Sequence, residues 1–123
     1  GATWTAQTSN VTADLKAAGS LVNISISATE YVYLVVGNNG TVLSSTDAIT
    51  WTARNANTTS NLNDLASINQ FTAVGTNGTI ISSTDGIAWT RQTSNTNTDL
   101  LKILRAENQL IAVNSAGGIF SSK

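Results

Sequence analysis

The sequence predicts an all-β fold assembled from repeated four-stranded antiparallel units, and three observations carry that expectation. One set of marker residues occurs three times, short apolar runs recur at strand length, and Gly, Asn and Asp bound those runs. Trp4, Trp51 and Trp89 each precede a Thr, and ten positions after them stand Asp14, Asn61 and Asp99, each followed by Leu. Gly37, Gly75 and Asn114 hold matching places in "VVGNNGTVLSST", "AVGTNGTIISST" and "AVNSAGGIFSSK". Fourteen residues separate Gly37 from Trp51 and Gly75 from Trp89, whereas the same count from Asn114 runs past Lys123. Placing Gly1 where Ala48 and Gly86 sit brings Trp4 into register, so the third repeat is cut inside its "SSTDG" turn. The expected units are 4–50, 51–88 and 89–123, the last completed by residues 1–3 of a neighbouring chain.

Within a unit, "LASI", "FTAV", "TIISS" and "AWTRQT" are rich in β-branched and aromatic residues and read as four short strands. "NNG" and "TNG" read as tight hairpin turns, because Asn and Gly tolerate the positive φ such turns demand. In "STDG" the Asp carboxylate accepts backbone N–H groups across the turn while Gly takes the strained conformation. The Trp that follows opens the next strand with a large apolar side chain directed at the core. "TADLKAAGSL", residues 12 to 21, is the one candidate helix, and ten residues are marginal for a helix alone.

Four-stranded repeats of about 40 residues are the signature of β-propeller blades. "SSTDGIAW" resembles the Asp-box of the sialidase-type BNR repeats, and "AVGTNGTIISSTDGIAWT" is similar to repeats of photosystem II assembly-factor-like propellers. The common Asp-box is written S-x-D-x-G-x-x-W, whereas here Asp and Gly are adjacent and the first unit has Ala48 in place of Gly. The resemblance implies three four-stranded antiparallel blades per chain, in which Asp47, Asp85, Gly86, Trp4, Trp51 and Trp89 are structural. Three blades are too few for a ring, since propellers have at least four. A lone chain would leave apolar sheet faces and open edges. The expectation is a head-to-tail homodimer forming a six-bladed ring, with Trp4 of each chain completing the last blade of the other; a nine-bladed trimer is the alternative. A fragment of a longer propeller would serve equally well as such a building block.

Composition narrows function. A net charge of −1 and a charged fraction of 11% leave no basic face for nucleic acid or an anionic membrane. The longest apolar run, "YVYLVV", is too short to span a bilayer, so no membrane insertion is expected. With no Cys and no His, neither a metal site nor a cofactor is expected. Ser, Thr and Asn make up roughly two fifths of the chain, a usage that points to a secreted or cell-surface β protein.

Candidate residues divide by face. The links from strand four to the next strand one, and the turns from strand two to strand three, share the top face. That face gathers Asp14, Asn61 and Asp99 with Asn38, Asn39 and Asn77, neutral or acidic groups suited to hydroxyl-rich ligands. The first unit is about eight residues longer between Leu15 and Gly37, an insertion placed to wall a pocket there. Arg54, Arg91 and Arg105 fall at unmatched offsets and read as scattered surface charge rather than a sialidase arginine triad. Tyr31 and Tyr33 are expected inside a strand, with Glu30 and Glu107 on turns of the opposite face. The expected function is a non-catalytic propeller that assembles into a ring as a structural or protein-interaction scaffold. The alternative is a lectin-like module with repeated weak glycan sites, and a glycosidase or sialidase is the remote alternative.

Overall fold

Residues 3–24, 29–67 and 70–122 are described by the computed structural model of the chain. Eleven strands are present among them: β1 Leu15–Ile24, β2 Thr29–Gly37, β3 Thr41–Ser45, β4 Thr52–Asn55, β5 Leu62–Ser67, β6 Phe71–Gly75, β7 Ile80–Ser83, β8 Thr90–Gln92, β9 Leu100–Ala106, β10 Gln109–Asn114 and β11 Ile119–Ser121. They form three antiparallel sheets in simple meander order, β1-β2-β3-β4, β5-β6-β7-β8 and β9-β10-β11.

The segment read as a candidate helix lies mostly in β1. It pairs with β2 from Leu15 opposite Gly37 to Ile24 opposite Thr29, and a ladder of that length outweighs the weak helical preference of ten residues. The extra residues of the first unit lengthen this β1–β2 hairpin. Its last described pair, Ile24 and Thr29, stands at the end of the ladder away from Asn38–Gly40, so the described residues of the insertion do not wall the top face; residues 25–28 lie outside the described residues. Glu30 falls inside β2 rather than on a turn, whereas Glu107 does sit between β9 and β10. Tyr31 and Tyr33 are within β2 as expected, stacked with ring centroids 6.3 Å apart.

Alternation along the strands makes two apolar faces per sheet, and stacking buries them. The innermost strands lie side by side, β1 against β5 and β5 against β9. Val32, Leu34, Val36 and Val42 of the first sheet pack on Leu62, Leu65, Phe71, Ala73 and Ile81 of the second. Trp89 joins this cluster at 3% exposure, its ring 6.4 Å from that of Phe71. Between the second and third sheets, Val74 meets Leu100, Ile103 and Ala112, flanked by Ile80, Leu110 and Phe120.

The third sheet holds three strands within the chain. Residues 3–14 form no strand, and Trp4 is 95% exposed. The N-terminal segment runs into β1, at one end of the stack, and the open edge of β11 lies at the other. Trp51, at the same repeat position, is partly buried, so only Trp89 of the three matches the expected core role within one chain.

Phe71 is fully buried at the centre of the larger cluster. Phe71→Ala is expected to cost about 3–5 kcal/mol in urea unfolding, from lost burial plus the cavity it leaves.

Candidate functional site

Two kinds of turn bracket each sheet, and they explain most of the polar residues singled out by the repeat. In the turn after β3, the Ser45 hydroxyl donates to Asp47 Oδ1 at 2.9 Å and accepts from Ala48 N–H at 2.8 Å. Asp47 Oδ1 also accepts the N–H groups of Ile49 and Thr50 at 2.9 and 2.8 Å. The turn after β7 repeats this with Ser83, Asp85, Ile87 and Ala88. Gly86 has φ 80° there, and the Trp89 indole N–H donates to its carbonyl at 3.2 Å. Ala48 holds the equivalent place at φ 62°, a conformation unfavourable for a residue with a Cβ.

These bonds stabilise the carboxylate form. The Thr50 and Ile49 N–H groups, with the Ser45 hydroxyl, hold the Asp47 carboxyl below its usual range. The Ile87 and Ala88 N–H groups do the same for Asp85 against a small opposing effect of burial. Both carboxylates border one shallow pocket together with Arg54. A glycosidic general acid requires a raised pKa, and both aspartates are shifted the other way.

On the top face the sheets are joined by the residues expected to bind ligand. Asn61, just before β5, accepts Asn39 N–H from the preceding sheet at 2.9 Å. Asp99, just before β9, accepts Asn77 N–H at 2.9 Å in the same way. Asn38 N–H donates to the Asp14 carbonyl at 2.9 Å, and Asn38 Oδ1 is buried without a hydrogen-bond partner. The expected six residues are thus brought together in pairs, with the Asn61 and Asp99 side chains engaged as links from sheet to sheet. Asn39 and Asn77 sit at φ 61° and 58°, and Gly78 follows at φ 71° against the Thr96 carbonyl. Arg54 Nε donates to Ser44 at 2.7 Å and Arg105 Nε to the Glu107 carbonyl at 3.5 Å, so these two guanidiniums are turned to separate local partners.

A second set of side-chain bonds holds the outer strands. Asn57 Nδ2 of the first link donates to the carbonyl of Trp89, and Gln92 Nε2 donates to Ser82 at 2.8 Å across the outer edge. Asn10, Asn57 and Asn95 each stand six residues after a repeat Trp, and all three adopt positive φ.

Among the described residues, two surfaces lack a neighbour. Beyond the third sheet lie Leu104, 55% exposed, and Ile119, 74% exposed, with Ile111 and Val113 between them. Before the first sheet lie Leu15, Tyr31 at 52% exposure, Tyr33 and Val35. Between the second and third sheets, the outer edge opens into a groove of about 900 Å³ with Gln70, Thr72, Ser94, Leu110 and Phe120 in its walls.

Ala48→Gly is expected to raise stability by about 1 kcal/mol in urea unfolding, by relieving the left-handed conformation. Because both turn aspartates titrate below the usual value of 3.8, their stabilisation is complete above about pH 4 and is lost as pH falls through the lower folded values. The Asp47→Asn, Asp85→Asn double variant should lose less stability than the parent between about pH 4 and pH 2, measured as the shift of the thermal midpoint.

No curated protein and no solved structure matches the chain. One family model, described as the DUF6242 beta propeller domain, matches residues 3–123. Its span takes in all three sheets and the N-terminal segment that carries Trp4. The match agrees with stacked antiparallel meanders whose first strands lie side by side, and the chain belongs to the DUF6242 beta propeller domain family.

Proposed function

We propose that this domain is a non-catalytic scaffold that completes a propeller ring by head-to-tail association with a second copy, six blades from two chains. The observation that carries the reading is the pair of unpartnered apolar sheet faces at opposite ends of the blade stack. One presents Leu104, Ile111, Val113 and Ile119, and the other presents Leu15, Tyr31, Tyr33 and Val35.

The two faces are of opposite kind. By repeat position, Ile111, Val113 and Ile119 correspond to Thr72, Val74 and Ile80, of which Val74 and Ile80 cover the third blade. Leu15 and Tyr33 correspond to Leu62 and Phe71, which receive the first blade. A surface that covers and a surface that receives can join head to tail, and with cyclic symmetry no face is left over. Asp14, the counterpart of Asn61 and Asp99, is exposed and positioned to accept a turn N–H from a second copy. Leu101 stands where the second blade has Asn63, which adds apolar area to this junction in place of a hydrogen bond. Burying faces of this kind releases apolar surface at about 25 cal/mol per Å², the main favourable term in such an association.

A second reading, a lectin-like domain, is supported by an open polar cleft on the top face lined by Asn77, Arg91, Thr93, Ser94, Thr96 and Asn97. Discrete hits on a glycan array would favour it, and a blank array with an assembled ring would leave the scaffold.

Light scattering across a dilution series tests the scaffold reading. Twice the 12.8 kDa chain mass is expected, and Ile119→Lys, at an exposed position that leaves the blades intact, is expected to reduce it to a monomer. Three times the chain mass would replace six blades by nine, and a folded wild-type monomer at all concentrations would overturn the reading.

A further inference from the structure

The groove between the second and third blades has the features of a seat for one more strand. We infer that it binds a tryptophan-bearing β-strand by edge addition to β11, and that the occupant is the segment around Trp4 of a second copy; the choice of a second copy rests on the ring proposed above.

The junction between the first and second blades shows what a filled seat looks like. There β8 pairs with β7, Ile80 opposite Gln92, Ile81 opposite Arg91 and Ser82 opposite Thr90. The preceding Trp89 is buried with Val32, Leu34, Ala56, Phe71 and Ile81. The repeat counterparts of these five are Gln70, Thr72, Ser94, Leu110 and Phe120, and all five line the vacant groove. Superposing the repeats puts Thr5 opposite Ser121, Ala6 opposite Phe120 and Gln7 opposite Ile119.

The polar fittings of the filled seat are also duplicated. Gln92 Nε2 holds Ser82 at 2.8 Å, and its counterparts Gln7 and Ser121 are both present and exposed. Asn57 Nδ2 holds the Trp89 carbonyl, and its counterpart Asn95 borders the groove, free to hold the carbonyl of an incoming Trp4. β11 offers an unpaired edge on this side, where edge strands recruit further chain. Trp4, at 95% exposure, is the large apolar side chain without a place in its own chain.

The link length selects the copy. From Trp51 to Leu62, from Trp89 to Leu100 and from Trp4 to Leu15 the separation is eleven residues in each case. The first two links each join one blade to its immediate neighbour, so the third reaches only the blade stacked before the first. In the ring proposed above, that blade is the third of another copy. The segment is already shaped for this course, because Asn10 holds φ 62° beside 58° at Asn57 and 63° at Asn95. The seat is more polar than its filled twin, with Gln70 and Thr72 in place of Val32 and Leu34, which makes the bond reversible rather than permanent.

The chain has no cysteine, which makes the register directly testable. The full-length Thr5→Cys, Ser121→Cys variant, treated with a mild oxidant, is expected to run at twice the chain mass on a gel without reductant, with each single variant remaining at monomer mass. A disulfide closed within one chain, or none in a protein whose native mass is that of a dimer, would overturn this occupant and leave the stacked faces standing. Independently of assembly, a labelled peptide of residues 2–9 is titrated into the full-length Trp4→Ala variant. Saturable binding is expected, at least tenfold weaker for a peptide with Ala in place of the Trp. No binding would overturn the groove itself. A wild-type monomer that binds the peptide would instead overturn the ring and keep the groove.

Discussion

Every blade of this domain is apolar on both faces, and a sheet cannot bury its own faces. Each therefore depends on a neighbour, and the rest of the structure follows from that dependence. The first and second blades satisfy each other through Leu34, Val36, Leu62 and Phe71, and the second and third through Val74, Leu100 and Ile103. The chain sits in the regime of repeat proteins, where stability is a sum over units and their interfaces rather than the property of one closed core. The two end faces are the same kind of surface as the buried ones, with no neighbour among the described residues.

Polar residues serve this stacking by settling the backbone groups that the junctions expose. A turn N–H at a blade boundary must find an acceptor, and in each junction the residue before the next first strand supplies it, Asn61 to Asn39 and Asp99 to Asn77. On the opposite face the aspartate turns fold several N–H groups onto one carboxylate oxygen, which shortens the connection to a length that brings the Trp back over the sheet. Residues that look like a ligand surface in projection are thus largely consumed as connectors. Their acidity and amide character are explained by backbone geometry before any ligand is invoked.

The junctions are not equal. Moving along the chain, the residues at the outer junction change from Val32, Leu34 and Phe71 to Gln70, Thr72 and Leu110, and the third strand of each sheet shortens from five residues in β3 to four in β7 and three in β11. A ladder of three residues with a polar floor has little cooperative hold by itself. The third blade is accordingly the least firmly held of the three.

Much of this was legible in the sequence. The threefold recurrence of Trp, Asx-Leu, Gly and Asp identified all-β units and placed the second blade's strands at "LASI", "FTAV", "TIISS" and "AWTRQT", because period-two alternation and turn chemistry are local properties. The Ser-Asp turn was readable for the same reason, since its hydrogen bonds span three residues. Other features belong to tertiary structure alone. Residues 15–24 became a strand because β2 lies beside them, and Asn61 and Asp99 became connectors because stacking brings them against the preceding blade's turn. Trp89 is buried and Trp4 exposed although both sit in one motif, since burial depends on which sheet stands opposite. The sequence by itself determined the unit and its turns; only the stacking of units decided which copy of each residue has a neighbour, because contact between faces is a relation between segments distant along the chain.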